Sequence, residues 1–151
     1  MIDDFDFETV RREVTPIIEG LGFSVVELNI GRSTHQINVA IVIYNPEGVG
    51  IEDCASVSRT LRPRLELLEG SENMRLEVSS PGLERVIKSR TEYELFTGRG
   101  VSVLAAGERQ EGIIAGVTED SLLLDCKGER KIIKFEQIRK AKLDYKLEAG
   151  E

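Results

Sequence analysis

Tryptophan is absent from this chain, and three tyrosines with five phenylalanines leave it poor in aromatics. A surface that reads nucleic acid by stacking bases on exposed rings is therefore not expected. One histidine, His35, and two distant cysteines, Cys54 and Cys126, cannot make a metal-ligand cluster. Neither a metal nor another cofactor is predicted. In a reducing compartment the two cysteines are expected as buried thiols rather than a disulfide. No apolar run is long enough to cross a bilayer, and the start, MIDDFDFETV, is acidic where a secretory leader would be basic. A cytoplasmic protein with no membrane association is the expectation.

Several sequence signatures are missing as well. No two glycines are separated by two residues, so the G-x-x-G clamp of KH modules is absent. No G-x-x-x-x-G-K-[ST] is present to cradle a nucleotide, and no G-x-S-x-G elbow to carry a nucleophilic serine. Positive charge is scarce: 20 Lys and Arg against 27 Asp and Glu give a net −7, which argues against a general nucleic-acid coat. The balance is uneven, however. Met1 to Arg90 holds fifteen acids and ten bases, whereas Lys127 to Lys146 holds eight bases and three acids.

What is present divides the chain in two. After Asp6, a plausible cap, Val10, Val14, Ile17, Ile18 and Leu21 recur at helical spacing, with Pro16 expected to kink or break the helix near Thr15. Val26, Leu28 and Ile30 alternate as a strand, and GRSTHQ is a polar connection that leaves His35 solvated. INVAIVIY is the clearest strand, with Ile37, Val39, Ile41 and Ile43 on one face and Asn38, Ala40, Val42 and Tyr44 on the other. Ile51, Cys54, Ser58, Leu61, Leu65 and Leu68 mark a second helix, interrupted on its polar side by Pro63. Its stripe could form a dimer seam, but packing on its own sheet is commoner. Met74 to Val78 closes an α-β-β-α-β order, best buried as two helices on one face of a small sheet.

Beyond this the character is all-β. A short helix from about Thr91 to Phe96 is closed by Gly98, and the strand-like runs GVSVLAA, QEGIIAGV, SLLLDC, RKIIKF and AKLDYKL follow. Five short strands predict a small closed barrel, with Gly112 and Gly116 permitting the bend. FEQIR reads as one tight helical turn, and the tail from Leu147 as frayed. The predicted fold class is α+β: residues 1–84 as an N-terminal α/β domain, residues 85–151 as a C-terminal Sm/SH3-like barrel.

Between the halves lies LEVSSPGLERVIKS. Ser79 or Ser80 as a nucleophile would need a base, and His35 is the only histidine. Turn geometry accounts for every residue instead, with Pro81 at i+1 and Gly82 at i+2 of a type II turn. Glu84 and Arg85 side by side either tie segments together or let Arg85 touch a phosphate; the two readings stand equal. Arg139, Lys140 and Lys142 are the candidate phosphate contacts, against the alternative of a lysine-rich edge strand that resists aggregation. The acids of IDDFDFE and the pair Glu52-Asp53 fit helix N-terminal dipoles rather than a calcium loop.

GIEDCASVSRTL, LEVSSPGLERVIKS and FTGRGVSV resemble, in this order and spacing, the bacterial ribosome maturation factor RimP family. Val86 departs from the family pattern, which has proline there, and Pro63 within the second helix is a second departure. The resemblance implies a cytoplasmic, non-enzymatic factor that binds the free small ribosomal subunit and assists its late assembly. It implies as partners a basic ribosomal protein and rRNA, with no small-molecule substrate. The residues Ser79, Ser80, Pro81, Gly82, Leu83, Glu84 and Arg85 would form its signature turn and contact the ribosome. Nothing in the sequence demands a dimer, so a monomer is expected. Two rival readings differ in class: a serine hydrolase using the Ser79-Ser80 turn, and a cytosolic scaffold binding a protein through the Asn38, Ala40, Val42 and Tyr44 face.

Overall fold

A computed structural model describes residues 6–33, 35–69 and 73–149. The acidic Asp3 and Asp4 lie outside them. The chain divides into two compact units, Met1–Pro81 and Gly82–Glu151, and the fold is mixed α+β.

The first unit runs α1 (Phe7–Gly20), β1 (Ser24–Arg32), β2 (Ile37–Tyr44), α2 (Ile51–Glu69) and β3 (Met74–Ser79). Its strands lie in the order β1-β2-β3, β2 pairing antiparallel with β1 and parallel with β3. Asp6 caps α1, its carboxylate accepting the Thr9 amide at 2.8 Å. That bond holds the Asp6 carboxyl below its ordinary value of 3.8. Val10, Val14 and Ile18 of α1 and Val57, Leu61 and Leu65 of α2 join Leu28, Val39, Ile41 and Ile43 in one core. Both apolar stripes thus rest on the same sheet face, which accounts for the α2 stripe without a partner chain.

Several expectations need correction. Neither proline breaks its helix: α1 continues through Pro16 and α2 through Pro63. Both prolines are exposed, so the carbonyls one turn back, of Arg12 and Arg59, can turn to water in place of the missing amide. Ile51 opens α2 but stays 87% exposed, and Val57 rather than Ser58 enters the core. In β1 the register shifts between Val25 and Glu27. This bulge at Val26 puts Val25, not Val26, on the face shared by Leu28 and Ile30. Cys54 and Cys126 are free but only half-buried, and burial raises both thiols above their ordinary value.

The second unit runs α3 (Arg90–Leu95), β4 (Gly100–Ala105), β5 (Glu108–Val117), β6 (Ser121–Cys126), β7 (Glu129–Lys134), a 3₁₀ turn at Phe135–Gln137, β8 (Ile138–Leu143) and a last 3₁₀ turn at Tyr145–Ala149. Its antiparallel sheet has the order β7-β6-β5-β4-β8. Phe96, Val101, Val103, Ile114, Leu122, Leu124, Ala141 and Leu143 are buried in it. Two close approaches depend on glycine. A Cβ on Gly112 would sit 2.4 Å from the Asp125 carbonyl oxygen, and one on Gly100 2.5 Å from that of Asp144. Leu147 is held in the last 3₁₀ turn, its amide donating to the Asp144 carbonyl at 3.1 Å, while Gly150 and Glu151 of the tail expected to fray lie outside the described residues. Arg99 donates to Glu148 at 2.7 Å and fastens the same turn to the start of β4.

Candidate functional site

The signature stretch is built differently from its sequence reading. Ser79 ends β3 opposite Val42, and Ser80 is exposed. The hydrogen-bonded turn is not Ser80–Leu83 but Gly82–Arg85, closed by the Arg85 amide donating to the Gly82 carbonyl at 3.1 Å. Gly82 has no positive φ, so a type II turn with Gly82 at i+2 is excluded. Leu83 and Glu84 form the tip, Leu83 being 62% exposed.

Arg85 turns inward. Its side chain is 10% exposed and that of Glu92 only 7%. Arg85 donates through Nε at 3.1 Å and Nη2 at 3.0 Å to the two Glu92 oxygens, a bidentate pair. The Lys88 amide adds a third bond to Glu92 Oε1 at 3.3 Å. Ser89 caps α3, accepting the Glu92 amide at 3.3 Å. Glu92 was not singled out from sequence, although Ser89-x-x-Glu92 has the spacing of a capping box. Here the carboxylate reaches Lys88 and Arg85 rather than the cap's own amide. Of the two equal readings of the Glu-Arg pair, the tie between segments is the one that holds Arg85. Glu84 instead meets Lys142 at 3.4 Å on the surface.

From Arg85 the backbone runs along the outer edge of β8. The Leu143 amide donates to the Arg85 carbonyl at 2.9 Å, the Ile87 amide to the Ala141 carbonyl at 2.8 Å, and Val86 bridges Lys142. From Lys88 onward the chain leaves β8, and a groove of about 500 Å³ opens between Lys88–Arg90 and Ile138–Ala141. Arg139 and Lys140 line it; Lys142 does not. Arg139 occupies the irregularity where β8 shifts register against Leu104 and Ala105, which an alternating pattern could not reveal.

Lys88, Arg90, Arg139 and Lys140 line the groove together with one acid, Glu119, and Arg90 also pairs with Glu94 at 3.7 Å. Arg90 is steadied by donating to the Thr118 carbonyl at 3.0 Å. Tyr93 and Phe135 form the floor, ring centroids 5.3 Å apart. Tyr93 is 5% exposed, and burial, with Glu92 next to it, pushes its hydroxyl up to about 12. The edge-protection reading of the basic residues suits β7, an outer strand bearing Arg130, Lys131 and Lys134. It explains less at β8, whose outer edge is already covered at Ala141–Leu143.

A serine nucleophile finds no histidine base here. Ile37 pairs with Met74 and Val42 with Ser79, so His35 precedes one end of this ladder while Ser79 stands at the other. Five residues of strand separate the two ends, about 16 Å. Nor is the Asn38, Ala40, Val42 and Tyr44 face exposed: Tyr44 is buried and the other three are half-buried.

Residues 13–84 match the RimP N-terminal domain family. That stretch, just under half of the chain, is identified as a RimP N-terminal domain. The match begins within α1, takes in β1, β2, α2 and β3, and runs on through Glu84. A crystal structure of the pleiotropic translational regulator Hfq is also similar, at 20% identity over 34% of this chain and 92% of that one. Its TM-score of 0.33 is too low to bear on the fold. No helix among the described residues is long and apolar enough to cross a membrane.

Proposed function

We propose that this protein is a ribosome maturation factor that binds the free small ribosomal subunit and assists its late assembly. The RimP N-terminal domain over residues 13–84 is the observation that carries this reading. In this reading the factor is cytoplasmic, monomeric and non-enzymatic, and its partners are a basic ribosomal protein and rRNA. The second unit, a five-stranded antiparallel sheet with short connections, is read as an Sm/SH3-like barrel.

Docking needs no covalent step. A factor with higher affinity for the immature than for the mature particle stabilises one arrangement of rRNA and protein, then leaves when maturation removes its site. The net charge of −7 favours contact with a basic ribosomal protein and keeps affinity for bulk RNA low. Within the signature stretch Arg85 serves to hold the turn, while Leu83 and Glu84 at its tip, with Ser80 beside it, are the side chains offered to the particle. Ser79, Pro81 and Gly82 position that tip. Arg139 and Lys140 are the rRNA contacts, with Lys142 a weaker one because Glu84 already neutralises it.

Sedimentation of cell extract at low salt tests this reading. The protein is expected to co-migrate with free small subunits and to be depleted from assembled ribosomes. Recovery only in the soluble fractions at the top of the gradient contradicts it.

A further inference from the structure

We infer that the groove between Lys88–Arg90 and Ile138–Ala141 is a binding site for the sugar-phosphate backbone of single-stranded RNA, held by Lys88, Arg90, Arg139 and Lys140. The choice of RNA rests on the ribosomal reading above; the site itself rests on its own geometry. In a chain of net charge −7, four cations and one carboxylate converge on a single concavity. An evenly mixed surface would not produce this. Arg90 also pairs with Glu94 at 3.7 Å, yet positive charge still predominates in the groove, and because attraction at physiological salt reaches only about 8 Å the distant acids count for little.

Size and shape then select the strand. A volume of about 500 Å³ lies within the range of single-ligand sites; it admits a nucleotide and its flanking phosphates but not the body of a duplex. The floor adds a second, independent feature. Tyr93 is buried but for 5%, lines the groove, and makes a ring contact with Phe135. Its hydroxyl has no hydrogen-bond partner among the described residues, which leaves it available to a 2′-hydroxyl or a phosphate oxygen. Half-buried Phe135 and Ile138 give the sugar an apolar wall. Neither ring of the groove, Tyr93 or Phe135, is exposed enough to stack a base, so binding is expected to be indifferent to base sequence. A carboxylate-rich peptide would satisfy the cations but would leave the Tyr93 hydroxyl and the apolar wall without a matching group.

Fluorescence anisotropy on the full chain tests the site. The probes are a labelled single-stranded ten-nucleotide RNA, the same sequence as a duplex, and a poly-glutamate peptide of equal charge. The single strand is expected to bind at least tenfold tighter than either competitor. The slope of log affinity against log salt should approach about −3, since four cations each contribute ~0.7 on a single strand. The double variant Arg139→Glu/Lys140→Glu is expected to lose at least tenfold, Tyr93→Phe a few-fold, and Arg59→Glu, a single reversal on exposed α2 surface, less than threefold. If the double reversal does not fold, Arg139→Gln/Lys140→Gln should still lose several-fold. Equal binding of the peptide, or an equal loss from Arg59→Glu, overturns the proposal. Should the wild type bind the strand in this groove yet never co-sediment with small subunits, the ribosomal reading fails while the site stands. Co-sedimentation with no binding of the free strand is the converse.

Discussion

Glu92 is the residue on which the signature stretch depends. It is buried, accepts both arms of the Arg85 fork and the Lys88 amide, and starts α3 beside the Ser89 cap. Glu92→Ala should destabilise the second unit by about 3 kcal/mol, because it withdraws the carboxylate from a buried guanidinium. Arg85→Met combined with Glu92→Leu should cost less than Glu92→Ala alone, and urea unfolding of the three variants checks this. Glycine positions divide as sharply. Gly112→Ala should cost about 2 kcal/mol by forcing apart β5 and β6, whereas Gly82→Ala, with open space around it, should change stability by less than about 0.5 kcal/mol. Tyr93 gives the alkaline signature. Its pKa rises from 10 to about 12 through burial first and the Glu92 charge second. The folded state therefore keeps the phenol proton that the unfolded chain releases. That stabilisation is complete below pH 10 and disappears as pH climbs toward 12. Wild type should lose more stability than Tyr93→Phe across that window, measured as the difference between their urea midpoints.

At the scale of elements, regular patterns were readable and irregular ones were not. INVAIVIY alternates without fault, and its four isoleucine and valine positions face the helices as the pattern requires. The bulge at Val26 and the register shift at Arg139 escape such reasoning, because one inserted residue reverses every later side chain. The Pro81-Gly82 pair invited a type II turn, but the ladder between residues 85–87 and β8 sets the register, and the turn forms one step later. The groove was hidden for a similar reason: Lys88 and Arg90 lie some fifty residues from Arg139 and Lys140, and only the β8 pairing brings them together. The helix prolines teach the reverse lesson, that a breaker on a wet face is tolerated. Pro16→Ala and Pro63→Ala should each raise stability, by about 2 kcal/mol at most, since an amide hydrogen bond is restored and no packing is lost. Thermal unfolding of each variant tests this, and a lower midpoint for either would show that the ring makes a contact the exposed position does not suggest.

The chain has an acidic majority, and its second unit carries a basic groove. That arrangement suits a factor that must avoid bulk RNA yet hold one strand while a basic protein is engaged elsewhere. Its association with small subunits should therefore weaken between 50 and 200 mM salt by about fiftyfold, still less than a protein making many phosphate contacts. A maturation factor of the kind proposed must discriminate between states of the particle. The direct measurement is equilibrium binding of the labelled protein to purified immature and mature small subunits at low salt. An affinity at least tenfold higher for the immature particle is the predicted result; equal affinity for the two, or binding to neither, would contradict it.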